Sequence, residues 1–162
     1  MHLLRDPLPA PRGGTALSSA AVCLGSRYRG DDAVGPLVAE RLRLAGIDLL
    51  DCGDEPTRLL DAWDGLDTVV IVDALVTGAP AGTIHRVDPG DEPLPRDLGL
   101  ASTHAVGVAE AVELGRAVGR APRRVVVLGV EGVAFGMGEE MTPAVARAIG
   151  GVVSAALEEL GG

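Results

Sequence analysis

A run of five consecutive β-branched residues, Thr68–Val72, constrains the fold of this chain more than any other feature. Alternate side chains of a strand point to opposite faces of a sheet, so a strand that is apolar throughout must be covered on both faces. Sheets of that kind are mostly parallel and are flanked by helices on either side. The run therefore predicts the central strand of an α/β domain.

Further strands and helices alternate around this run. Short apolar runs predict four more strands, at Ala20–Leu24, Ile47–Leu50, Thr83–Val87 and Arg124–Leu128. Apolar residues at helical spacing and helix-boundary signals predict helices at Ala33–Leu44, Thr57–Trp63, Thr103–Val118 and Thr142–Leu160.

The connection Ala74–Gly82 is too short for a crossover helix, so the strand after it is expected to pair antiparallel at an edge of the sheet. We therefore predict a single three-layer α/β domain. Its sheet is doubly wound, mostly parallel and five-stranded, with one antiparallel edge strand and helices on both faces.

The first 18 residues differ in composition from the remainder of the chain. They contain three prolines and the pair Gly13-Gly14, which predicts a loosely ordered N-terminal extension at residues 1–18 and a single domain at residues 19–162. The chain shows neither a signal peptide nor a segment long enough to span a bilayer. Cys23 and Cys52 lack C-x-x-C spacing and fit reduced thiols. We therefore expect a soluble, cytoplasmic protein with no membrane partner.

The charge balance excludes several classes of partner and chemistry. Acidic residues outnumber basic ones by 23 to 14, giving a net charge of −9, which repels a phosphate backbone and argues against nucleic acid binding. Every basic residue is an arginine, so the chain has no lysine for a Schiff base or for a P-loop.

Acidic residues follow the predicted strands at the edge where open α/β sheets bind their ligands. Asp31 and Asp32 come after the first strand and Asp73 directly after the Thr68–Val72 run, while His104 opens the following helix. Crowded carboxylates repel one another, and a divalent cation relieves that cost. Two carboxylates and an imidazole suit Ni²⁺ or Zn²⁺. We therefore predict a metal-recognising site at this edge, built from these carboxylates and His104.

Structural roles for the same residues remain open at this point. Asp31 and Asp32 also suit the first turn of a helix, where the dipole favours negative charge. Asp73 also suits the capping of a turn, although its place after the most buried strand favours a site residue, and His104 taken alone suits the polar start of a helix.

Two other families with an acidic or glycine-rich loop after the first strand fit less well. Dinucleotide-binding folds carry G-x-G-x-x-G there, whereas Gly25, Gly30 and Gly35 are spaced at five. Receiver domains of signalling proteins have similar aspartates but need a lysine, which this chain lacks.

The ordered set of short motifs resembles the hydrogenase maturation endopeptidases from about Ala21 to Leu160. The family's glycine loop, ending in two acidic residues before a glycine-containing helix, is similar to the segment from Cys23 to Gly35. Its other motifs are similar to Val72-Asp73-Ala74, Ser102-Thr103-His104, Gly129-Val130 and Thr142-Pro143. The chain differs from the family pattern at Cys23 and Ser26, where the family has glycine and asparagine.

The resemblance implies an endopeptidase that removes the C-terminal extension of a nickel–iron hydrogenase large-subunit precursor. Asp32, Asp73 and His104 would then contact nickel already held by the substrate, so that no permanently bound cofactor is expected. Asp32 and Asp73 are the predicted catalytic residues, one of them positioning a water, and the Asp88–Ala101 loop is the predicted docking surface. The alternative is a non-catalytic metal-sensing or ligand-binding module of the same fold.

Overall fold

The computed structural model describes residues 18–51, 55–90, 92–93, 98–101 and 105–161. Apart from Ser18, the predicted N-terminal extension lies outside the described residues. His104 and Cys52 lie outside them as well. Within the described residues, no helix combines the length and apolar character needed to cross a membrane.

Within the part of the chain that the structure describes, four strands and four α-helices follow one another. The strands are β1 (Ser19–Cys23), β2 (Thr68–Leu75), β3 (Ile84–Val87) and β4 (Arg124–Glu131). The helices are α1 (Val34–Leu44), α2 (Leu59–Ala62), α3 (Ala105–Ala117) and α4 (Pro143–Gly161). Short 3-10 turns at Gly30–Ala33 and Pro56–Arg58 lead into α1 and α2.

The described strands form one sheet in the order β1-β2-β4-β3. β2 pairs parallel with both β1 and β4, and β3 pairs antiparallel with β4 at the edge. The predicted mixed α/β sheet and its antiparallel edge strand are confirmed.

The predicted number of strands is wrong by one. In place of a strand at Ile47–Leu50, Leu49 forms a single parallel bridge with Ala21. The bridge is flanked by bonds from the Ala21 N–H to the Asp48 carbonyl (2.9 Å) and from the Leu50 N–H to the Ala21 carbonyl (2.8 Å). The run has only three apolar residues, interrupted by the exposed Asp48, and so has little apolar surface with which to extend the pairing.

Alternate residues of β2 and β4 fill two separate hydrophobic cores. Val70, Val72 and Ala74 of β2 pack in the core closed by α1 and α4. Val69 and Ile71 pack in the other, together with Trp63 and the buried face of α3. Helices therefore cover both faces of the sheet, as the Thr68–Val72 run predicts.

Candidate functional site

Asp32 lies on the Gly30–Ala33 turn, which is packed against the loop that follows β1. A Cβ atom at Gly25 would lie 2.2 Å from the Asp32 carbonyl oxygen, so only glycine allows this approach. The Ser26 N–H donates a hydrogen bond to Asp32 Oδ2 at 2.8 Å. Asp32 is only 1% exposed. The turn therefore holds a carboxylate in a buried position just beyond the first strand.

The two oxygens of the Asp32 carboxylate have different surroundings. Oδ2 accepts the Ser26 bond and lies 3.6 Å from Nη1 of Arg29. Oδ1 is buried and has no hydrogen-bond partner among the described residues. A buried oxygen without a partner is costly for the fold unless a water or a ligand satisfies it.

Asp73 lies near the end of β2, at the same edge of the sheet. It is fully buried, and its Oδ1 accepts the Ala74 N–H at 2.9 Å. β1 ends beside it, since Cys23 pairs with Val72. The Gly30–Ala33 turn contacts β2, so that Asp32 and Asp73 share one edge of the sheet.

Leu100 and Ala101 also pair with the end of β2 at this edge. The Ala101 N–H donates to the Ala74 carbonyl at 2.8 Å, and Leu100 forms an antiparallel bridge with Leu75. His104 follows three residues later, outside the described residues, and α3 begins at Ala105. The described residues contain no group of three or more His, Cys, Asp or Glu side chains placed to hold a metal ion. They supply two of the three predicted ligands.

Asp31 is also buried but belongs to a different set of contacts. Its carboxylate accepts the backbone N–H groups of Val133, Ala134 and Thr142 at 2.9, 3.1 and 2.8 Å, and the Thr142 hydroxyl as well. Burial alone would raise the pKa of Asp31, but these hydrogen bonds outweigh it and lower the pKa. Asp31 thus fastens the segment 132–142, here called the 132–142 loop, to the turn that carries Asp32.

Glu131 ends β4 and has a structural role that the sequence does not reveal. It is 1% exposed and accepts the Thr77 N–H (2.7 Å), the Thr77 hydroxyl (2.8 Å) and the Gly78 N–H (2.9 Å). Nε2 of His85 lies 3.3 Å from its Oε2. Glu131 therefore holds the loop that follows β2, a few residues beyond Asp73.

Cys23, which ends β1, is not suited to act as a nucleophile. Burial raises the pKa of its thiol to about 12, and the nearby Arg43 offsets this only in part. A thiol with that pKa stays protonated near neutral pH. The reactive groups that the described residues bring to this edge are therefore carboxylates.

Asp32 and Asp73 carry the type of ligand atom that divalent cations bind. Asp32 presents one open, buried oxygen, and the Asp73 carboxylate lies at the same edge. Carboxylate oxygens are suitable ligands for divalent metals, and a cation there would satisfy the Asp32 oxygen.

The sequence model of the hydrogenase maturation protease family HycI matches residues 34–159. The hydrogenase expression/formation protein HupD from Thiocapsa roseopersicina is 30% identical over 145 residues, which cover 85% of this chain and 65% of HupD. The chain thus spans less than two thirds of that relative's length.

Solved structures with the same fold carry related names. The hydrogenase maturating endopeptidase HybD from Escherichia coli superposes with a TM-score of 0.73 at 23% identity, over 88% of this chain and 93% of HybD. The NiFe hydrogenase maturation protease HycI from Thermococcus kodakarensis superposes with a TM-score of 0.67 at 28% identity, over 89% of this chain and 92% of HycI.

Proposed function

Because the chain belongs to the hydrogenase maturation protease family, we propose that it is an endopeptidase. Its proposed reaction is removal of the C-terminal extension from the large-subunit precursor of a nickel–iron hydrogenase. The observation that carries this proposal is the buried Asp32 carboxylate, whose Oδ1 has no hydrogen-bond partner among the described residues. It lies at the ligand-binding edge of a sheet with the fold of these proteases.

Nickel enters this proposal as part of the substrate. Asp32 and Asp73 contact the ion carried by the precursor, and His104 provides the third contact. Support for His104 comes from its neighbours, since Ala101 hydrogen-bonds to Ala74, the residue after Asp73, and α3 begins at Ala105. Only a nickel-loaded precursor then completes the site. Cleavage therefore takes place only after the metal has been inserted into the precursor.

The carboxylates also supply acid–base chemistry at the scissile bond. One of Asp32 and Asp73 positions the attacking water and accepts its proton, while the nickel in the substrate polarises the reacting groups. We assign this reaction to the cytoplasm, in keeping with Cys23 as a free thiol.

Cleavage of a purified precursor tests the proposal. Wild-type protein is incubated with nickel-loaded and nickel-free large-subunit precursor, and the products are weighed by mass spectrometry. We expect cleavage of the nickel-loaded form alone. Binding without cleavage contradicts the protease proposal and favours a metal-sensing module, and equal cleavage of both forms contradicts nickel recognition.

Two substitutions test the assignment of the aspartates. Asp32→Asn and Asp73→Asn are each expected to slow cleavage about 100-fold or more, because an amide neither accepts the proton nor binds the cation as a carboxylate does. The exposed Asp48, altered to asparagine, is the matched control and should cleave normally. Circular dichroism checks that each variant has the same fold as the wild type. Wild-type rates in both Asp32→Asn and Asp73→Asn would show that the site is elsewhere.

A further inference from the structure

Arg29 connects the carboxylate of Asp32, which is the proposed nickel contact, to the 132–142 loop. Its Nη1 lies 3.6 Å from Asp32 Oδ2, and its Nε donates a hydrogen bond to the Phe135 carbonyl at 3.2 Å. The side chain is one-third exposed, whereas that of Asp32 is almost fully buried. The bond to Phe135 restrains the guanidinium, so that its positive charge stays beside Asp32.

This arrangement weakens Asp32 as a ligand for a free metal ion. Oδ2 already accepts the Ser26 N–H and faces the guanidinium, so a cation finds one open oxygen, Oδ1, rather than two. The fixed positive charge also repels any second cation in a partly desolvated site. Affinity for an ion in solution therefore falls, although the oxygen remains available.

We propose that Arg29 prevents the free protein from capturing a metal ion of its own. Specificity is a difference between two affinities. Here they are the affinities for nickel in a precursor and for nickel in solution, and the charge of Arg29 lowers the second. An ion that arrives already coordinated by a protein partner needs only a contact from Asp32, and the remaining affinity comes from the partner's own ligands and surface. The site then responds to nickel in a precursor and not to nickel in solution. This inference rests on the proposed function for its choice of Asp32 as the nickel contact.

Arg27 provides a matched control in the same segment. It carries the same charge two residues away, but its guanidinium pairs with Glu40, and both of these side chains are about half exposed. Substituting Arg27 therefore changes the net charge as substitution of Arg29 does, while leaving the contact with Asp32 in place.

Calorimetric titration with Ni²⁺ alone tests the inference on the purified protein, without a precursor. Arg29→Gln is expected to bind Ni²⁺ at least about tenfold more tightly than wild type, because the repelling charge is gone. Arg27→Gln should stay within about twofold, because its pair is exposed and screened. Arg29→Lys keeps the charge but loses the bond to Phe135, and should gain less affinity than Arg29→Gln. In the double variant Arg29→Gln/Asp32→Asn the gain should disappear.

Several results would overturn the inference. They are an unchanged or weaker affinity in Arg29→Gln, an equal gain in Arg27→Gln or Arg29→Lys, and a gain that persists after Asp32 is replaced. Thermal unfolding of each variant shows whether the fold is intact. If these results overturn the inference, the proposed function still holds as long as cleavage of the nickel-loaded precursor depends on Asp32. Conversely, failure of the wild-type protein to cleave the nickel-loaded precursor removes the proposed function, and normal cleavage by Asp32→Asn removes Asp32 from the site, whatever the Ni²⁺ titrations show.

Discussion

Asp31 and Asp32 are neighbours in the sequence and are both buried, yet their carboxylates have different partners. Asp31 accepts hydrogen bonds from Val133, Ala134 and Thr142 through both of its oxygens. Asp32 keeps one oxygen without a partner among the described residues. A saturated carboxylate stabilises the fold, whereas an open one is available to a ligand. The local hydrogen bonds, rather than burial, thus separate the structural aspartate from the one proposed to contact the ligand.

Glu131 gives a residue-scale prediction about stability and pH. Burial alone would raise the pKa of this carboxyl, but the hydrogen bonds from Thr77 and Gly78, together with the charge of His85, outweigh it and lower the pKa. A carboxylate with a lowered pKa in the folded state stabilises the protein above its unfolded pKa of about 4.3 and loses this effect as pH falls. We expect Glu131→Gln to lower the free energy of unfolding by about 2 kcal/mol at pH 7.

Urea denaturation at a series of pH values checks this prediction. The difference between wild type and Glu131→Gln should be largest at neutral pH and should shrink progressively below about pH 4, as the carboxylate is protonated in the wild type. Glu140 is exposed, and Glu140→Gln should change stability little at any pH. A difference that stays constant down to pH 3 would mean that the charge of Glu131 does not contribute.

Sequence predicts the positions of Asp32 and Asp73 better than it predicts their supporting contacts. A strand end can be located from a local pattern, so the two aspartates could be assigned to one edge of the sheet. The contacts of Arg29 with Phe135 and of Glu131 with Thr77 join residues 106 and 54 positions apart. No local pattern encodes such pairs, because they depend on how two loops meet in the folded chain.

At the scale of elements, α1 is positioned by a close approach of its first turn to the end of β1. A Cβ atom at Gly35 would lie 1.8 Å from the carbonyl oxygen of Leu24, an impossible distance without backbone movement. Gly35 is therefore a packing residue, although it lies inside a helix. Because the Gly30–Ala33 turn runs directly into α1, this contact also fixes the position of Asp32.

Gly35→Ala is expected to destabilise the protein by about 3 kcal/mol, since the helix must move away from the strand. The effect is opposite to that of an ordinary helical glycine, where alanine gains up to about 1 kcal/mol. Gly150 in α4 provides that comparison, because the nearest atom to a Cβ there is Arg41 Nη1 at 3.9 Å.

Chemical denaturation of the two alanine variants should therefore give changes of opposite sign. Gly35→Ala should also slow precursor cleavage, whereas Gly150→Ala should not. Equal stability changes in the two variants would contradict the importance of the α1–β1 contact.

The elements themselves could be predicted where a signal extended over many residues. The Thr68–Val72 run and the helical spacing of α1 and α4 are of this kind, and they appear in the structure within a few residues of their predicted ends. The Ile47–Leu50 run is too short to distinguish a strand from the single bridge at Leu49. The length of the pairing depends on how many residues of β1 have backbone groups free to pair with it.

For the molecule as a whole, the two long helices on opposite faces of the sheet, α3 and α4, differ in how many apolar side chains they bury among the described residues. α4 has 19 residues and is buried at Val145, Ile149, Val152, Ala156 and Leu160, and it also packs against α1. On the other face, α3 has 13 residues with buried positions at Val108, Ala111 and Val112. Its neighbour α2 is a single turn of four residues. Among the described residues, α3 thus buries fewer apolar side chains than α4.

We expect this difference to appear in native-state hydrogen exchange. Amides in the middle of α3 should exchange at least about tenfold faster than those in the middle of α4, because local opening costs less where fewer apolar contacts are broken. Exchange measured by NMR or mass spectrometry tests this directly, and equal protection of the two helices would contradict it. The difference bears on the proposed function as well, since His104, the proposed third nickel contact, directly precedes α3 in the sequence. If the nickel-loaded precursor binds through His104, its addition should slow exchange in α3 more than in α4.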